Sequence, residues 1–208
     1  MLNRELKQYI QQQIIPRYET FDAAHRTDHA RAVIARSLEL ARQYDADENM
    51  VYVIAAYHDM GLSVEREQHH IISGQLLMED PELPRWFSAE QLETMRDAVE
   101  DHRASSNHAP RTIYGRLVAE ADRLIEPETI IRRTLQYGIA HYPTLDREGH
   151  FGRLREHLQR KYAEGGYLQL WIPKSDNARQ LRILRVLIQE EVRLRALFDR
   201  LYTAEIEK

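Results

Sequence analysis

The chain contains no cysteine. That absence excludes disulfides, thiolate nucleophiles and Cys-ligated zinc or iron–sulfur clusters, so any metal must be held by His and carboxylate side chains. Long hydrophobic runs are also missing: no apolar stretch approaches the ~20 residues of a bilayer span. The N-terminal MLNRELKQYIQQQ is polar where a secretory signal would carry an apolar segment. A cytoplasmic protein with no membrane association is the expectation. Lysine is scarce, occurring only at Lys7, Lys161, Lys174 and Lys208 among 29 basic residues. The positive charge is therefore mostly arginine, the fork-shaped donor suited to carboxylate and phosphate. A net charge of −4 gives no general electrostatic reason to bind nucleic acid. A Gly-rich phosphate loop of the Walker type is absent.

What is present is a chain of 208 residues, 43% hydrophobic and 30% charged, large enough to bury a core as one soluble domain. Repeats, low-complexity tracts and Gly/Ser linkers do not divide it. Helical periodicity runs nearly throughout and predicts an all-α fold. Leu2, Leu6, Tyr9, Ile10 and Ile14 share one face of a first helix expected to end at Pro16. Thr27 is placed as an N-cap before the stripe Ala30, Val33, Ile34, Ser37, Leu38 and Ala41. Met50–Tyr57 (MVYVIAAY) is apolar all round, as a central buried helix should be, with Gly61 as its stop. A helix is expected over Arg66–Met78, another behind a Ser88–Gln91 capping box, and another from about Thr112. Further on, Pro127 suits a first helical position, Thr144 and Ser175 helix starts, and Gly165–Gly166 a stop. Tyr167–Ile172 (YLQLWI) reads as a brief strand or an apolar loop.

The chemistry-bearing residues lie on these stripes. His58–Asp59 ends the most apolar helix, His29 borders the stripe one turn before Val33, His102 continues the stripe of Leu92, Met95 and Val99, and Asp122 follows Val118 by one turn. An ionisable group at such a position needs a partner to offset its burial. Imidazole and carboxylate groups converging from several helices are what a metal site in a helical core requires.

These residues resemble the HD-domain superfamily of metal-dependent phosphohydrolases. The matching pieces are Arg26-Thr27-Asp28-His29 with Val33, AAYHDMG at Ala55–Gly61, and VAEADRLIEP at Val118–Pro127. The resemblance covers about residues 21–128 and implies an HD helical bundle, with residues 129–208 as a helical C-terminal extension of the same domain. It implies His29, His58, Asp59 and Asp122 as ligands of one divalent ion, with His70 and His102 added for a second. Adjacent His69 is the alternative to His70, and loop residue His108 could replace His102 or reach substrate. The metal candidates are Mn, Fe, Mg, Co and Ni, one or two ions per chain. The chain departs from several hydrolase branches by reading Met60-Gly61-Leu62-Ser63-Val64 after the HD pair, where those branches place Lys or Glu-Asp.

Hydrolysis of a nucleotide or related phosphate ester or anhydride by metal-activated water is the expected function. Asp59, Glu65 and His69 are the catalytic candidates, with Glu67 beside them. Arg26, Arg123 and His108 are the candidates for holding the substrate, with Arg66, Arg103, Arg132 and Arg133 behind them. Tyr57, Trp86, Tyr114 and Trp171 are available to stack on a base. A di-iron oxygenase of the same superfamily would use the same six ligands, and a nucleotide-binding regulatory module would need no turnover. The partner is expected to be a small phosphorylated molecule. Leu184, Leu187 and Ile188 could pack internally or across a homodimer interface.

Overall fold

A computed structural model describes residues 1–21, 25–104, 106 and 108–206. Among them every regular element is helical, so the chain is all-α. It divides into two compact units, Met1–Arg123 and Leu124–Lys208, each with its own apolar core.

In the first unit, α1 (Arg4–Tyr9) opens behind Asn3, whose side chain accepts the amides of Glu5 and Leu6. The expected stop at Pro16 is not observed. The helical path instead widens into a π turn over Ile10–Ile14 and tightens into a 3-10 helix over Ile15–Thr20. Pro16 sits in the first turn of that 3-10 helix, where its missing N–H leaves no bond unmade. The wide turn re-phases the buried face, so Leu6, Ile10 and Ile14 are followed at once by Ile15 and then Tyr18.

Helix α2 (Thr27–Ala41) buries Ala30, Val33, Ile34, Ser37 and Ala41, the expected stripe without Leu38. Thr27 is its first residue rather than its cap. Helix α3 (Glu48–Tyr57) starts behind an Asp47 cap and buries every residue from Met50 to Tyr57. It packs against α2, α4 (His69–Met78), α5 (Ala89–Glu100) and α6 (Ile113–Asp122), which is why no polar face survives in its sequence. Each of its large apolar side chains contributes about 1.5–3 kcal/mol on full burial. The predicted Ser88–Gln91 capping box opens α5, and the Thr112 hydroxyl caps α6.

Gly61 has a different role from the one its position suggests. Helix α3 has already ended, and Gly61 lies in a 3-10 turn over Met60–Ser63. A β-carbon there would overlap the carbonyl oxygen of His69, and the Gly61 N–H donates to Ser73 Oγ at 2.8 Å. The turn after the HD pair is thereby pressed onto the start of α4, which begins at His69, three residues later than Arg66.

The second unit comprises α7 (Pro127–His141), α8 (Arg147–Tyr162), α9 (Asp176–Gln189) and α10 (Glu191–Ile206). Pro127 starts α7 and Ser175 caps α9 as expected, but α8 is capped by Asp146 and not Thr144. Tyr167–Ile172 forms no strand; it is a loop that buries Leu168 and Ile172. Arginines of this unit enter ion pairs: Arg132 with Glu128 and Glu205, Arg195 with Glu148 and Asp199, Arg147 with Asp199. Such exposed pairs are worth up to about 1 kcal/mol each. Among the described residues no helix is long and apolar enough to cross a membrane.

Candidate metal centre

Four side chains of the first unit meet at the end of α3: His29 from α2, Asp122 from α6, and the His58–Asp59 pair that follows α3. His29 Nε2 lies 3.2 Å from His58 Nε2, 3.4 Å from Asp59 Oδ2 and 3.2 Å from Asp122 Oδ1. His58 Nε2 lies 3.1 Å from Asp59 Oδ2 and 3.8 Å from Asp122 Oδ1. A second set adjoins it through the other oxygen of the same carboxylate. Asp59 Oδ1 is 3.5 Å from His69 Nε2 and 3.4 Å from His102 Nε2, and those two nitrogens are 3.2 Å apart. Within the trio His29, His58 and Asp59, and within Asp59, His69 and His102, all donor atoms lie within 4.8 Å of one another.

The hydrogen bonds on the far sides of three rings fix what their Nε2 atoms can do. Nδ1 of His58 donates to Ala55 O at 2.8 Å, Nδ1 of His69 to Arg66 O at 2.8 Å, and Nδ1 of His102 to Val99 O at 2.6 Å. A carbonyl accepts only, so each Nδ1 carries the hydrogen and each Nε2 of the neutral ring presents a lone pair. In the second set this leaves two lone pairs and a carboxylate oxygen facing one another with no hydrogen between them. A cation placed among them would satisfy all three at once. Bonds of about 2.1 Å at tetrahedral or octahedral angles put ligands about 3.0–3.4 Å apart, close to the separations seen in both sets. The donor sets therefore fit divalent ions, and four imidazoles with two carboxylates suit Mn, Fe, Co or Ni better than Mg.

The carboxylates that would hold a cation also favour the protonated form of the first set's imidazoles. Burial opposes charging of His29, but the hydrogen bonds and negative charge of Asp122 and Asp59 outweigh it and raise the ring to about 9. Burial also opposes charging of His58, and the Asp59 carboxylate beside it again wins and raises its pKa. The carboxylates respond in kind. Burial would raise Asp122, yet its hydrogen bond with His29 and the His58 charge bring it to about 2. Asp59 is held well below the usual carboxylate range by His58, His102 and His29 against its own burial. His69 is lowered by burial and then by neighbouring His102, so a proton does not readily fill the second set.

The centre is closed on one side and open on the other. His58, Asp59 and His102 are at most 4% exposed, while the side chains of His29, His69 and Asp122 are 16–25% exposed. The cluster is reached by solvent from the side of this second group.

The structure thus brings together His29, His58, Asp59, Asp122 and His102, and it substitutes His69 for His70. His70 Nδ1 is buried without a hydrogen-bond partner among the described residues, and burial with the nearby Arg103 charge lowers its pKa to about 4. Because α4 begins at His69, that residue sits on the turn pressed against Gly61, and the step to His70 rotates the next side chain about 100° away. His69, expected as a catalytic helper, is accordingly a donor in the cluster. Glu65 is exposed, and His108 is exposed with Nδ1 on Ala109 O at 3.0 Å. Neither makes a hydrogen bond or ion pair to the six-residue cluster among the described residues. Arg26 is exposed at the N-cap of α2, one turn before His29. Arg123, expected to hold substrate, is buried and donates to Ala119 O. Arg103 is half-buried and donates to Glu67 O at 2.7 Å, close enough to depress His69 and His70. Of the aromatic candidates, Tyr57 is taken by the core and donates to Asp80.

A carboxylate that sequence reasoning passed over lies next to His102. Asp101 is 2% exposed and accepts the Arg111 amide at 2.6 Å and Arg111 Nε at 3.0 Å. It fastens Arg111 to the end of α5. Its neighbour's place on the apolar stripe was the one signal available.

Comparison with known proteins gives no match among curated proteins and none among solved structures. The family model described as HD domain matches residues 26–126, which run from α2 to just past α6 and include all six clustered residues. With the His29, His58–Asp59 and Asp122 pattern assembled on an all-α scaffold, this segment of the chain belongs to the HD-domain family.

Proposed function

We propose that the chain is a metal-dependent phosphohydrolase that cleaves a nucleotide or a related phosphate ester or anhydride. The observation that carries this reading is the two-sided use of Asp59, whose Oδ2 faces His29 and His58 while Oδ1 faces His69 and His102. Membership of residues 26–126 in a family of generally metal-dependent hydrolases supports the same class. Divalent ions held by His29, His58, Asp59, Asp122, His69 and His102 would bring a bound water towards neutral pKa and offset negative charge on the reacting phosphate. The chain's own residues supply the rest. His29, His69 and Asp122 form the accessible wall against which a phosphoryl group would rest. Arg26, one turn before His29, and Arg103, whose charge reaches His69 and His70, would supply positive charge for its non-bridging oxygens, the main demand that phosphoryl transfer makes on a protein.

The test is elemental analysis of the purified protein, followed by an anaerobic phosphate-release screen. Mononucleotides, dinucleoside polyphosphates and cyclic nucleotides would be offered with Mn²⁺, Fe²⁺, Co²⁺, Ni²⁺ or Mg²⁺. The expected result is turnover without oxygen, with label from heavy-oxygen water appearing in phosphate, and its loss in His58→Ala and Asp59→Ala. Strict oxygen dependence would move the assignment to a di-iron oxygenase with the same ligands. Tight nucleotide binding without turnover would make it a regulatory module.

A further inference from the structure

We propose that Tyr18, which lies before the residues matched by the HD family, is a positioning residue for Asp59; this rests on the metal reading above. The fully buried Tyr18 hydroxyl donates to Ala56 O at 3.0 Å and accepts the Asp59 N–H at 3.4 Å. Its ring stacks on that of His58 with centroids 6.3 Å apart and planes at 28°. Ala56 in the last turn of α3 and the His58–Asp59 pair just past it are thus held by one side chain from the N-terminal segment.

The site needs such a brace. A carboxylate that gives Oδ2 to one donor set and Oδ1 to another must have its Cα–Cβ direction fixed, and that direction follows the plane of the His58–Asp59 peptide. Helix α3 has ended at Tyr57, and Ala55 O accepts His58 Nδ1. The Asp59 amide, in a residue only 4% exposed, is held by the fully buried Tyr18 oxygen. The π turn over Ile10–Ile14 serves this end, because it re-phases the segment so that Tyr18 faces inward beside Ile15. The hydroxyl makes no hydrogen bond to a donor atom of the cluster among the described residues, so its effect runs through Asp59.

Tyr52 provides a matched control. It is 2% exposed, and its hydroxyl bonds to Gln11 Nε2 of the same N-terminal segment, with no bond to the HD pair. The experiment is Co²⁺ titration of the metal-free full chain, read by visible absorption, for wild type, Tyr18→Phe and Tyr52→Phe. Tyr18→Phe is expected to weaken cobalt binding by about tenfold or more and to alter the cobalt spectrum, as loss of an orienting partner does. Tyr52→Phe should match wild type in both. Wild-type affinity and spectrum in Tyr18→Phe would overturn the inference, as would equal weakening in Tyr52→Phe, which would signal general loosening. Should Tyr18→Phe lose its helical circular dichroism, 3-fluorotyrosine at position 18 keeps the shape and weakens the acceptor oxygen. A changed cobalt spectrum then supports the role and an unchanged one overturns it. A wild type that takes up no cobalt would sink the metal reading itself, and the inference with it.

Discussion

Gly61 and His69 approach so closely that a β-carbon at position 61 would overlap the His69 carbonyl oxygen. The turn after the HD pair and the first residue of α4 are therefore locked together, and backbone cannot yield as a flexible side chain would. Gly61→Ala should destabilise the first unit by about 1–3 kcal/mol, as overpacking typically does. It should also weaken binding in the set that His69 completes while sparing the set built on His29. Urea unfolding and metal titration together would check this, and unchanged stoichiometry with unchanged stability would refute it.

His69 and His70 should behave oppositely despite being neighbours. His69→Ala removes a nitrogen 3.5 Å from Asp59 Oδ1, whereas His70 contributes nothing to either set. The fully loaded wild type should hold two ions, His69→Ala one, and His70→Ala two. One ion retained in His70→Ala, with two in His69→Ala, would reverse the assignment.

Metal binding should release protons and tighten with rising pH. His29 sits near 9 in the ion-free chain, so below that pH an incoming cation must displace its proton. Affinity at this set should improve by up to about tenfold per pH unit as pH rises towards about 9 and then level off. In the ion-free chain the sign is the opposite. The raised His29 contributes stability fully below about 6.5, and that contribution disappears as pH rises through about 9. Asp122, depressed to about 2, contributes stability above its ordinary value, and this is lost as pH falls through about 2. Titration calorimetry in buffers of different ionisation enthalpy counts the protons; none released at pH 7 would contradict the scheme.

Asp101 should matter to stability beyond its own hydrogen bonds. Asp101→Asn keeps the shape but removes the charge that holds Arg111 Nε at 3.0 Å and the Arg111 amide at 2.6 Å. A loss of about 1–3 kcal/mol is expected for a buried charge-assisted network. His102 is the next residue, so the second set should also bind metal more weakly. Thermal unfolding with and without metal separates the two effects.

Much of this protein is set by local pattern. The spacing of Val33, Met95 and Val118 places helices correctly, because a 3.6-residue period on a buried face is a property of the chain itself. Caps at Ser88, Thr112 and Ser175 are equally local, since each hydroxyl satisfies an amide only a few residues ahead. The HD pair and its partners His29 and Asp122 stand out because ionisable groups on apolar stripes need company. The choice between His69 and His70 is not local. It depends on where α4 begins, and that is decided by the close packing of Gly61 on the His69 backbone and by Ser73 accepting the Gly61 amide. The inward turn of Arg123, the bracing of Asp59 by Tyr18 and the loop clasp of Asp101 on Arg111 are decided in the same way. Each joins residues whose meeting depends on how helices pack, and a periodic pattern records which face is buried but not what that face will touch.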